Sequence, residues 1–400
     1  MRSNCVQLSG IALMLLFALQ LPAQELREPR FMERAQAGFA HIYNLDYAEA
    51  RQVFTSLERE YSRHPAPPLY LACILWLEEM LRRQDLTLNR FLYPSYFSGK
   101  TDQAMPPRER DAFFKNLQKS EALANAILKE IPQDKDGRYF LATSYGLRSS
   151  FAITIDHNLR SAFSNGVKAY SYTRKLTEDD PEYYDAYMTV GIYEYVVGSI
   201  PWYLKWMAFM VGARGSKQDG LKYLKLASEK GQYVRVEAQL VQMVLYVREH
   251  RYTEALEIAR DLDRRYPRNF LFPLCAAQIA SLAGQKDQAA TMYLGVEKRV
   301  EGKEPNFDKI PLQTFRYSLA SELMDMGKLD PAQDRFQKSI DDPLTPERER
   351  ALSHLRLGRI LEWKGRRAQA AAEYQIVLSL KDVENSHDKA ARYLSILAGK

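Results

Sequence analysis

The sequence predicts an all-α fold: an α-solenoid of helix–turn–helix repeats with an irregular, insertion-bearing middle. Three observations predict it. A mostly small residue, an alanine twelve positions later and a mostly aromatic residue four further on recur five times in one frame. Short turns carrying glycine (Gly284-Gln-Lys-Asp, Met326-Gly-Lys-Leu, Lys364-Gly-Arg-Arg) end the first half of the later windows, as glycine past a helix terminus does. Between the regular windows, apolar residues such as Leu117, Ala122, Ala126 and Ile131 keep helical spacing. Composition agrees: 46% apolar and 26% charged residues in 400 suit a folded chain, and three cysteines exclude a disulfide framework or a thiolate zinc site.

Residues 1–24 have the order of a secretory signal. Arg2 precedes an uncharged apolar core, Ile11–Leu19, followed by Pro22 and the small Ala23. The core is shorter than the roughly 20 residues that span a bilayer. Cleavage is expected near Ala23 or Gln24, placing the protein in a bacterial periplasm or secreting it. Cys5 stands before the core, so no lipid anchor is expected. Cleavage lowers the net charge only from +6 to +5, because Arg2 is the one charged side chain removed. That mild charge, with export, argues against a nucleic-acid partner.

The repeat frame aligns Ala50, Ala255, Ala289, Ala332 and Ala370. Twelve residues earlier stand Gly38, Met243, Ala277, Ala320 and Gly358; four later stand Phe54, Ala259, Tyr293, Phe336 and Tyr374. Small residues let two helices approach, and a ring one turn on fills the space beside the contact. The spacing is 34 from Ala255 to Ala289, then 43 and 38, so loops lengthen around Pro305–Pro311 and Asp341–Pro346. These windows resemble tetratricopeptide repeats, over about 31–64 and 236–384. The resemblance implies a right-handed superhelix whose concave wall is lined by the first helix of each pair.

The middle, 65–235, is expected to hold helices over 68–83 and 107–131. Helix pairs follow over 136–155 with 158–176, and over 183–197 with 217–230, with Gly191 and Gly220 at close-contact positions. Leu86–Pro107 interrupts with a loop. Gly198–Gly212 is an apolar insertion in which Lys205 alone is charged. The run Ile200-Pro201, Leu204-Lys205, Phe209, Val211-Gly212, Gly220-Leu221, Arg235 and Tyr266-Pro267 is similar to the eukaryotic inclusion-body-clearance tetratricopeptide family. That family offers no catalytic motif to transfer, and a signal peptide departs from its intracellular setting. A capping helix is expected over 385–399, with Ala390, Ala391, Leu394 and Leu397 inward. The domain reading is a signal (1–24), an N-terminal and central array (25–235), and a regular array with its cap (236–400).

Nothing in the sequence assembles a reaction centre. No two of the six histidines stand three to five residues apart, and there is no HExxH, no G-x-S-x-G and no phosphate loop. No enzyme activity, metal or cofactor is expected. Cys73 and Cys275 sit among apolar residues like small hydrophobes, and whether they pair is open. The expected function is an exported scaffold binding protein or peptide partners. By the family's geometry, Phe39, Tyr43, Val244, Arg248, Gln278, Tyr317, Asp325, Arg359 and Trp363 line the concave wall. The alternative is binding of a small molecule, a glycan or a lipid surface through the aromatics of 170–209. There Trp202, Tyr203 and Trp206 join Tyr170, Tyr172, Tyr183, Tyr187 and Tyr195, and a peripheral membrane contact would use the same residues.

Overall fold

The computed structural model describes residues 25–92, 104–200 and 214–399. Among them are 18 α-helices and two short 3₁₀ turns, with no strand. The expected signal and most of the apolar insertion lie outside the described residues. The chain divides into two compact units. Unit 1 comprises Met1–Ile42, Asp46–Glu79 and Thr101–Val190; unit 2 comprises Tyr43–Leu45, Met80–Lys100 and Gly191–Lys400. Their main boundary falls at 190/191, inside a helix.

Unit 1 is built on α1 (Pro29–Tyr43), α2 (Tyr47–Glu60), α3 (Ala66–Arg82), α5 (Pro107–Glu130), α6 (Lys135–Thr154) and α7 (Leu159–Asp179). Gly38 on α1 lies against the Phe54 ring of α2: a Cβ there would stand 2.7 Å from Cε2. Phe54 is fully buried and stacks on Tyr70 of α3 at 5.1 Å. Phe113 of α5 stacks on Phe151 of α6 at 4.2 Å. A fully buried side chain of this kind contributes about 1.5–3 kcal/mol. Asp134 and Asn158 cap α6 and α7 by accepting from the amides of Gly137 (2.6 Å) and Ser161 (3.0 Å).

A polar cluster ties the 3₁₀ turn Glu25–Arg27 into unit 1. Asp136 accepts from Arg27 Nε at 2.9 Å and from the Tyr183 hydroxyl at 2.6 Å. Burial and the adjoining Asp136 carboxylate hold the Tyr183 hydroxyl pKa far above its usual value.

Unit 2 stacks its helices in chain order: α9 (Lys217–Lys230), α10 (Arg235–Arg248), α11 (Tyr252–Arg265), α12 (Leu271–Leu282), α13 (Lys286–Glu301), α14 (Leu312–Asp325), α15 (Leu329–Asp341), α16 (Glu347–Trp363), α17 (Arg367–Ser379) and α18 (Ser386–Leu397). Each packs on the next, and α14 also meets α16 as α16 meets α18. That is the packing of helix pairs laid side by side. The helix α8 (Ala186–Gly198) enters this unit at Gly191, which faces Gly220 of α9 as expected. A short helix missed from sequence, α4 (Leu88–Leu92), sits where a loop was expected. Leu88 is buried among Met243, Val247, Ala276 and Ile279, and that burial recruits the extra turn.

The repeat frame is reproduced by packing. Ala50, Ala255, Ala289, Ala332 and Ala370 are all fully buried. Gly358 meets the Tyr374 ring as Gly38 meets Phe54, with a would-be Cβ 2.8 Å from Cδ1. Where Met243 replaces the small residue, Ala259 replaces the ring, and the two belong to one apolar cluster. Five residues before each alanine the backbone is left-handed: Leu45 (φ 63°), His250 (57°), Gly284 (75°), Gly327 (73°) and Gly365 (75°). These helix pairs pack as tetratricopeptide-type units. In the cap α18, Ala390 is buried and Leu394 and Leu397 half-buried, whereas Ala391 faces solvent, contrary to expectation.

Candidate partner-binding face

In unit 2 the first helices of three successive pairs, α12, α14 and α16, with the cap α18, carry a connected row of polar and aromatic side chains. Ser281 on α12 donates a hydrogen bond to Glu322 Oε1 on α14. Lys286, at the start of α13, places Nζ 3.4 Å from both Glu322 Oε2 and Asp325 Oδ2. Arg356 on α16 approaches Asp325 Oδ1 at 3.9 Å and lies over the Tyr317 ring at 5.9 Å. One turn along, Arg359 donates to Glu362 at 2.8 Å and is flanked by the rings of Tyr393 (4.5 Å) and Trp363 (5.2 Å). Glu362 also accepts from the Tyr374 hydroxyl at 2.9 Å; burial and this bond raise the Tyr374 pKa well above the tyrosine range.

The local sequence explains the row. The left-handed turn at Gly284 reverses the chain, so Lys286 opens α13 beside the end of α14. Arg356, Arg359 and Trp363 lie three to four residues apart, along one side of α16. Asp325 and Lys286 are about two-fifths exposed, and their contacts are long for ion pairs. Pairs of this kind contribute about 0–1 kcal/mol each, so an incoming polar group displaces them at little cost. Trp363 is 52% exposed beside Arg359, and this pairing of residue types is common at binding hot spots.

Of the wall residues expected from sequence, Tyr317, Asp325, Arg359 and Trp363 come together here. Gln278 is half-buried on α12, and Arg248 is exposed at the end of α10. Val244 is half-buried against the Met243–Ile279 cluster. Phe39 and Tyr43 are not exposed wall residues. Phe39 is buried between Phe54 and Tyr70, at 5.6 and 4.6 Å. Tyr43 is buried on Tyr266 at 5.2 Å, and its carbonyl accepts from Asn269 Nδ2 at 2.7 Å. Both were placed by the repeat frame alone, which marks neighbouring positions but not what covers them. Lys286, Glu322, Arg356 and Tyr393 were missed; their partners stand in the adjoining repeat, 31 to 41 residues away in sequence.

The aromatic region divides. Tyr183 and Tyr195 are buried, and the Tyr195 hydroxyl donates to Glu249 at 2.7 Å. Tyr172 stacks near Tyr145 at 6.1 Å, and the Tyr187 hydroxyl donates to the Pro181 carbonyl. Trp202, Tyr203 and Trp206 lie outside the described residues. Cys73 and Cys275 are not joined to each other by a disulfide, and burial pushes the Cys275 pKa up to about 12. Among the described residues no group of three His, Cys, Asp or Glu side chains is placed to hold a metal ion, and no helix is long and apolar enough to cross a membrane.

No family model and no curated protein matches the chain, so the resemblance of 200–269 to the inclusion-body-clearance family gains no support. Solved structures with related helix arrangements include yeast Tom70, at 14% identity, covering 97% of this chain and 85% of that one, with a TM-score of 0.37. The human IFIT1 dimer with m7Gppp-AAAA gives 14% identity, 92% and 85% coverage and a TM-score of 0.40. A tetratricopeptide repeat protein from Parabacteroides merdae gives 16% identity, 81% and 97% coverage and a TM-score of 0.30. The repeat assignment rests on the packing described above.

Proposed function

We propose that this chain is an exported, non-catalytic repeat scaffold that binds protein or peptide partners on the first helices of unit 2. One observation carries the reading: the row from Ser281 to Trp363 joins three successive helix pairs with weakly engaged charges and an exposed tryptophan. Stacked helix pairs present such rows to extended segments. The signal-like residues 1–24 support an exported setting. The His354–Glu373 contact at 2.6 Å joins α16 to α17 with the imidazole buried, which suits a packing role better than a proton-transfer one.

Site-specific photocrosslinking tests this. A photoreactive side chain at Trp363 or Tyr317 is expected to capture discrete partners from the exported fraction, while one at Arg264, exposed on α11, is not. The same products from all three positions, or none from any, would count against the reading.

A further inference from the structure

The helix α7 buries Ala162, Asn165, Ala169, Thr173 and Leu176. A second face is apolar too. Leu159 is 55% exposed, Phe163 65% and Val167 38%, and their four-residue spacing sets them in one stripe. A single exposed apolar residue is ordinary, but an aligned row is not. From Leu159 to Thr177 the helix carries Arg160, Lys168, Arg174 and Lys175 and no acidic residue. Arg174 is paired with Glu178 at 2.7 Å. Arg160 and Lys175 have no carboxylate partner among the described residues, and Lys168 lies over the Tyr145 ring at 5.2 Å. Carboxylates on the adjoining segments are already engaged: Glu121 with Arg148 at 2.8 Å, and Asp156 with Arg110 at 2.6 Å. The stripe is a ridge on one helix. A folded protein partner would need a matching groove, whereas a fluid surface deforms around a ridge.

We propose that α7 docks unit 1 on an anionic phospholipid surface. Leu159, Phe163 and Val167 enter the boundary between headgroups and acyl chains, and Arg160, Lys168 and Lys175 meet lipid phosphates. Exposed apolar side chains beside basic ones are what interfacial helices present. Each basic side chain near an anionic bilayer strengthens binding about fivefold.

The test is flotation with equimolar phosphatidylcholine–phosphatidylglycerol vesicles and with phosphatidylcholine alone. It uses the chain from Glu25 onward, which omits no described element, with the full chain beside it. The parent chain from Glu25 is expected to float with the anionic vesicles only, and less as salt is raised. The pair Leu159→Ser with Phe163→Ser is expected to weaken binding at least about tenfold, and Arg160→Gln or Lys168→Gln about fivefold each. Failure of the parent to bind anionic vesicles overturns the proposal, as does equal binding to neutral ones or by all variants. Binding to polyglutamate as tight as to vesicles reassigns the surface to an acidic polypeptide. The unfolding midpoint of the serine pair without lipid is the second readout. An unchanged midpoint supports an exposed stripe, and a lowered one shows that the chain itself covers it and removes the proposal.

Discussion

The glycine pair of α8 and α9 gives the sharpest test of the packing. A Cβ on Gly220 would stand 2.7 Å from the Gly191 carbonyl oxygen, the Tyr195 amide nitrogen and Tyr195 Cβ. Two of these are backbone atoms, so relief requires the helices to part and not a rotamer to turn. Overpacking of a close contact costs about 1–3 kcal/mol, and three simultaneous clashes place this site at the upper end. Alanine regains about 1 kcal/mol of helix propensity, leaving Gly220→Ala about 2 kcal/mol less stable. Gly295, inside α13, has no atom within 4 Å of a would-be Cβ, so the same substitution there gains about 0.5–1 kcal/mol. Repeat arrays lose two-state cooperativity, so local amide exchange decides better than a global melt. Protection of α8 and α9 amides is expected to fall about 30-fold in Gly220→Ala, at about 1.4 kcal/mol per tenfold, and to hold in Gly295→Ala. Equal protection in the two variants would refute the argument.

Two further outcomes are expected. His64 accepts from the Ala66 amide through Nδ1 and meets the Leu26 carbonyl through Nε2, both at 3.0 Å, which fixes a neutral ring; burial lowers its pKa to about 4. Because the unfolded chain takes up that proton first, stability is full above about pH 6.5 and falls by about 3 kcal/mol as pH drops to 4; unit 1 amide exchange should show the loss in the parent and not in His64→Gln. Met243→Ala alone should cost about 2–5 kcal/mol, but combined with Ala259→Met it should recover about 1–3 kcal/mol of coupling in a double-mutant cycle, and strictly additive urea midpoints would separate the two positions.

The fold was legible where one position answers to another within a single helix pair. Gly38 with Phe54 and Gly358 with Tyr374 are sixteen residues apart in sequence, and the ring fills the space that the missing side chain leaves. The left-handed position before each second helix was half legible. Glycine marks it at 284, 327 and 365, but Leu45 and His250 hold the same conformation, at a backbone cost of about 1–2 kcal/mol each. Burial of Leu45 offsets that cost, and His250 bonds the Tyr252 hydroxyl at 2.8 Å. Leu88–Leu92 was illegible because its only reason to be helical is a core built by residues more than 150 positions later.

The row on the first helices of unit 2, the proposed binding face, was legible by halves for the same physical reason. A repeat frame states which turn of which helix a residue occupies, and this sufficed to set Tyr317, Asp325, Arg359 and Trp363 in one row. It does not state what the next pair sets opposite, and this misplaced Phe39 and Tyr43. The missed partners become visible when charges are set on the frame. Lys286 stands three residues before its aligned alanine, and Glu322 and Asp325 ten and seven before theirs. A cation opening one second helix therefore meets carboxylates closing the next first helix, a relation between adjacent repeats that single-repeat alignment does not express. Because Lys286 serves two carboxylates at 3.4 Å and Arg356 reaches Asp325 only at 3.9 Å, the row is electrically balanced but loosely held. On the proposed reading, a ligand that supplies a positive charge to Asp325 would free Arg356 for a negative one, so a segment carrying both signs would fit this row better than a uniformly charged one.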